Sequence, residues 1–69
     1  MPERTRELVL TKERFIERVA TIIGLDEPEG LRLTDTFYGE QLSIILGWDE
    51  VKKLIPWLEF WFKKGGKDN

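Results

Sequence analysis

Side chains that could do chemistry are few in this sequence. Cysteine and histidine are both absent. Disulfides are therefore excluded, and ordinary zinc and haem sites lose their usual ligands. Ser43 is the one alcohol nucleophile worth weighing, and it stands among apolar residues without an evident base. Asp26, Glu27 and Glu29 make an acidic loop, but they lack the alternating oxygen ligands of a calcium-binding loop. The Gly65-Gly66 pair does not follow a strand and so does not read as a phosphate cradle. The expectation is a chain that binds rather than catalyses, with no metal and no cofactor.

Two groups of side chains are suited to binding. The first is cationic: Lys52 and Lys53, joined by Arg32, could meet phosphates or the edges of bases. The second is aromatic: Trp48, Trp57, Phe60, Trp61 and Phe62 crowd into the last third of the chain. On a helix turning about 100° per residue, Phe60 lies about 180° from Val51, and Trp57 falls at the stripe's edge. Trp57 and Phe60 are thus candidates for a protein interface, because Trp and large apolar patches anchor such contacts.

Composition sets bounds on both. The 69 residues suffice for one domain, and a domain this small needs dense packing or self-association when disulfides and metals are missing. Charged residues make up 35% of the chain, with interspersed signs and a net charge of −2. Self-repulsion is therefore too weak to hold the chain disordered. High charge with a single Met, Gln and Asn is the hyperthermophile pattern, so a thermophilic source is expected. Met1 to Glu7 lacks the apolar core of a secretory signal, and no apolar run approaches the ~20 residues that span a bilayer. A cytoplasmic protein with no membrane partner is expected.

The elements that must position these groups read as helices. Phe15, Val19, Ile22 and Ile23 fall at i, i+4, i+7 and i+8, which predicts a helix over Lys12–Ile23, with Thr11 as its cap and Gly24 as its stop. Tyr38, Leu42, Ile45 and Leu46 repeat that spacing and predict a second helix over Asp35–Leu46, capped by Thr34 or Thr36. Gly47 breaks it. Asp49 and Glu50 open a third helix over Glu50–Lys64, with Lys63 and Lys64 at its C-terminus; Pro56 is expected to kink it near Ile55, or to end it and start a new helix. Leu8–Leu10 and Leu31–Leu33 could pair as two short strands. Residues 1–6 and 65–69 are expected to be mobile. The predicted core contains Phe15, Val19, Ile22, Ile23, Leu42, Ile45, Leu46, Leu54, Leu58 and Trp61.

The segment from Gly39 to Leu54, with Ser43 four residues before the turn glycine and Leu42 and Leu46 inward, resembles the helix-turn-helix of winged-helix-type prokaryotic regulators. The resemblance covers about half the chain. It implies a mainly α, three-helix domain whose third helix carries Lys52 and Lys53 to duplex DNA, a small transcriptional regulator. The isoelectric point near 5.1 keeps a second reading open. A DNA-binding domain usually shows a basic surface. The alternative is a protein-interaction module or homodimer using Trp57 and Phe60, without nucleic acid.

Overall fold

The computed structural model describes residues 5–65. Of the ends expected to be mobile, residues 1–4 and 66–69 lie outside the described residues. The described chain is not a three-helix domain. It is an antiparallel sheet followed by one helix: β1 (Glu7–Lys12), β2 (Ile16–Ile23), β3 (Gly30–Phe37), β4 (Glu40–Gly47) and α1 (Trp48–Gly65). The strands lie side by side in chain order, each antiparallel to the next.

Two of the expected helices are therefore strands. In β2, Ile16, Val19, Thr21, Ile22 and Ile23 are β-branched. Such side chains lose rotamer freedom on a helix and pack well on a pleated surface. β4 is ambiguous by spacing alone, since Leu42 and Leu46 fit a period of 3.6 and a period of 2 equally well. Ile44 and Ser43 decide it. Leu42, Ile44 and Leu46 alternate with Gln41 and Ser43, as a strand with one apolar face requires. β3 alternates in the same way, with Leu31 and Leu33 on one side and Arg32, Thr34 and Thr36 on the other.

Tyr38-Gly39 is the tight turn between β3 and β4. Both residues have positive φ, 50° and 88°, and Phe37 and Glu40 face each other across it. Two positive φ angles are what a two-residue hairpin of the right twist demands. Gly39 supplies one without steric cost, whereas Tyr38 is strained. Tyr38 is held by its neighbours: its N–H donates to the Phe15 carbonyl at 2.8 Å, and its ring stacks on Phe15 at 5.0 Å. Gly24 ends β2 at φ 127° rather than ending a helix.

The two-stranded pairing of Leu8–Leu10 with Leu31–Leu33 is replaced by a different register. β2 lies between β1 and β3, and Leu8 faces Ala20, which faces Leu33. Thr11, Thr34 and Thr36 are strand residues and cap nothing. Arg6, expected to be mobile, is anchored, since its guanidinium donates to the Leu25 carbonyl at 2.8 Å and its carbonyl accepts from Ile22 N–H at 2.8 Å.

The third helix is present as α1, and it runs through Pro56 as one element from Trp48 to Gly65. It begins the moment β4 ends. The Glu50 carboxylate accepts the Gly47 N–H at 2.9 Å, the back half of a capping box. Trp48 N–H donates to the Glu29 carbonyl at 3.1 Å. α1 touches β3 and β4 and neither of the other strands.

The predicted core does not exist as a closed core. Among the described residues Val51 is the one buried apolar side chain. Val19, Ile22, Ile23, Leu46 and Leu54 are half-buried, and Phe15, Leu42, Ile45, Leu58 and Trp61 are exposed. A single sheet has two faces, and a helix rooted at one end of it covers neither.

Gly24→Ala and Gly39→Ala separate strain from collision. At Gly39 a Cβ meets nothing within 4 Å, so the substitution loses about 1 kcal/mol through backbone strain alone. At Gly24 a Cβ would collide with the Glu27 carbonyl oxygen as well, so the loss is larger, about 2 kcal/mol or more. Urea unfolding at one fixed chain concentration measures both.

Candidate interaction surface

In an antiparallel sheet, residues paired across strands point to the same side. The register therefore sorts the side chains into two faces. One row holds Leu8, Ala20, Leu33 and Ile44; another holds Ile22, Leu31 and Leu46; a third holds Ile16, Phe37 and Glu40. Between the first and third lies the row of Arg18, Asp35 and Leu42. A bulge between Val9 and Thr11 lets Leu10 join this face. The face is apolar except for Glu40, Thr11 opposite Arg18, and one ion pair, with Arg18 Nε 3.3 Å from Asp35 Oδ1.

The other face is mostly polar. Lys12 pairs with Glu17 at 3.6 Å, and Gln41 Nε2 donates to Thr36 Oγ1 at 3.4 Å. Thr34 and Ser43 hydroxyls lie 3.3 Å apart. Ser43, the one candidate nucleophile, is thus half of a cross-strand hydroxyl pair.

Nothing among the described residues covers the apolar face. Leu42 is 74% exposed, Leu8 62% and Ile44 61%. Leu10, Leu33, Leu42 and Ile44 line a shallow groove of about 450 Å³ beside the Arg18–Asp35 pair. At one end the face meets an aromatic group. Phe37 and Tyr38 contact edge to face at 4.5 Å, and the Arg14 guanidinium sits 5.2 Å from the Phe15 ring.

α1 presents a second uncovered apolar surface. At about 100° per residue, Leu54, Ile55, Leu58, Trp61 and Phe62 fall within about 120° of arc, in line with the buried Val51. Lys52, Lys53, Glu59, Lys63 and Lys64 occupy the opposite side. From Ile55 to Gly65 every residue is exposed.

The residues singled out from the sequence are scattered over this frame. Trp57 and Phe60 are both exposed, at 58% and 53%. Trp57 borders the apolar arc. Phe60 lies on the polar side, edge-on to Trp61 at 5.1 Å, with the Lys64 ammonium 5.7 Å from its ring. Lys52 and Lys53 stand on α1 near its start, while Arg32 stands on β3 in the row of Glu7, Thr21 and Ile45. No described hydrogen bond or ion pair joins the three. The segment before Gly47 is a strand, so the helix-turn-helix has no counterpart, and the recognition role carried over to Lys52 and Lys53 loses its scaffold.

Sequence reasoning missed the apolar sheet face. The signal was there in the alternation of Leu31 and Leu33 and of Leu42, Ile44 and Leu46, joined by the Tyr38-Gly39 turn. Among the described residues no helix is long and apolar enough to cross a membrane, and no three acidic, thiol or imidazole groups are placed to hold a metal ion. The chain matches no protein-family model, no curated protein and no solved structure.

Leu42→Thr probes the face directly, since it removes the apolar side chain, keeps a β-branched residue in the strand and places no second carboxylate opposite Asp35. The side chain is already solvated in the isolated chain, so the far-ultraviolet circular dichroism of the sheet should persist and thermal stability of the monomer should change by less than about 0.5 kcal/mol. A loss of several kcal/mol in dilute chain would mean that Leu42 is packed within its own chain.

Proposed function

We propose that this chain is a self-associating interaction module, working through its apolar sheet face and the apolar side of α1. The observation that carries this reading is the single uncovered layer. Stable domains stack at least two layers around a shared core. Here one layer stands with its apolar face toward solvent.

Two magnitudes support it. A compact monomer of 8.2 kDa exposes roughly 4,500 Å². This chain exposes 6394 Å². The apolar part of that surface includes Leu8, Leu42 and Ile44 on the sheet and Leu58, Trp61 and Phe62 on α1, each about half exposed or more. The radius of gyration is 14.2 Å, against about 11 Å for a compact chain of this length. Surface of that extent and apolarity favours association over the solvated monomer, at about 25 cal/mol per Å² of apolar area before the costs of association. The mixed-sign charge with a net of −2 leaves copies of the chain free to approach.

Sedimentation velocity over a concentration series tests the reading. The expected result is a species of at least twice the 8.2 kDa chain mass at micromolar concentration. A species of single-chain mass up to about 1 mM, far above the micromolar end of the range for standard interfaces, would overturn it.

A further inference from the structure

Resting on the self-association just proposed, we infer that the copies exchange helices: α1 of one chain lies on the apolar sheet face of the other, reciprocally.

The root of α1 is what prevents a single chain from covering itself. No residue separates β4 from α1. A helix that folds back over its own sheet needs a connection of a few residues to reverse direction. Here the junction is fixed instead by two hydrogen bonds, Gly47 N–H to Glu50 at 2.9 Å and Trp48 N–H to the Glu29 carbonyl at 3.1 Å. It is also closely packed, because a Cβ on Gly30 would stand 2.8 Å from the Leu46 carbonyl oxygen. Val51 is the one α1 side chain buried at this root, and from Ile55 onward α1 is exposed. The chain thus carries an apolar sheet face and an apolar helix side that it cannot bring together by itself.

The two surfaces fit in size. Eighteen helical residues span about 27 Å, and eight strand residues span about 27 Å. The outer strands of a four-stranded sheet stand about 14 Å apart, so one helix about 10 Å across covers the middle of the face. Leu54, Leu58 and Trp61 would then enter the groove lined by Leu33, Leu42 and Ile44. The polar side of α1, with Lys52, Lys63 and Glu59, would remain in water.

Complementation between two variants tests the exchange. Ile44→Asp spoils the sheet face and leaves α1 intact; Trp61→Asp spoils the helix and leaves the sheet intact. Both residues are exposed in the single chain, so circular dichroism should show each variant folded. By sedimentation each variant alone should run as a monomer, whereas a 1:1 mixture should form a dimer with one intact helix-on-sheet junction, at least about tenfold weaker than the unaltered chain. If I44D is monomeric while W61D still dimerises, the sheets pair with each other and the exchange is overturned while self-association stands. The converse result overturns it in favour of helix pairing. A monomeric mixture also overturns it. If the unaltered chain is itself monomeric, the self-association reading falls first. Should an aspartate variant fail to fold, I44C and L58C provide the same test in this cysteine-free chain. A short bismaleimide should join I44C to L58C in the mixture and leave each variant alone largely unlinked; the reverse pattern would overturn the exchange.

Discussion

Gly47 is the last residue of β4 and the cap of α1, and the Glu50 carboxylate on its N–H holds strand and helix in one fixed relation. Most of the molecule's character follows from that junction. With no loop there, α1 leaves the sheet at its edge, touches only the two strands nearest it, and carries most of its apolar side into solvent. The sheet in turn keeps its apolar face bare. A longer connection would have let the same residues close into an ordinary two-layer domain.

The sheet is held chiefly by backbone pairing and by rows of side chains across strands. On the polar face these are modest contacts, such as Lys12–Glu17 and Thr34–Ser43, each worth a few tenths of a kcal/mol to about 1 kcal/mol. On the apolar face Leu8, Leu42 and Ile44 give little until something lies over them, since they remain largely hydrated, while Ala20, Ile22, Leu31, Leu33 and Leu46 are already half-buried. Under the proposed self-association, folding and assembly are therefore coupled. The apolar area that stabilises most domains internally is in this chain reserved for the contact between copies, and apparent stability rises with chain concentration.

How much of this was legible in the sequence differs element by element. α1 was legible because its signals agree: Asp49 and Glu50 at the start, Lys63 and Lys64 at the end, and an apolar stripe between them. β4 was not, because Leu42 and Leu46 satisfy both periods and the spacing of Tyr38, Leu42, Ile45 and Leu46 imitates a helix face. The turn hid in the same stretch. Tyr38 stands where Asn or Asp is usual, so Tyr38-Gly39 did not announce a hairpin. Val19, Ile22 and Ile23 misled in a similar way: spacing outweighed the β-branched character that made β2 a strand. With those helices goes the helix-turn-helix resemblance built on Gly47 as a turn between them. The aromatic crowding after Trp48 left open whether Trp57 and Phe60 face solvent or a core, and both are exposed; a further apolar surface lies on the sheet, where only strand periodicity could have shown it.

Burial of the bare sheet face against a second copy is the central claim. Mixing isotopically labelled and unlabelled chains and recording isotope-filtered nuclear Overhauser spectra tests it most directly. Intermolecular contacts are expected from the Leu33, Leu42 and Ile44 methyl groups, with the Trp61 indole of the second copy among the protons they reach. Narrow lines with the tumbling time of a single 8.2 kDa chain, and no intermolecular contacts to those methyl groups, would contradict it.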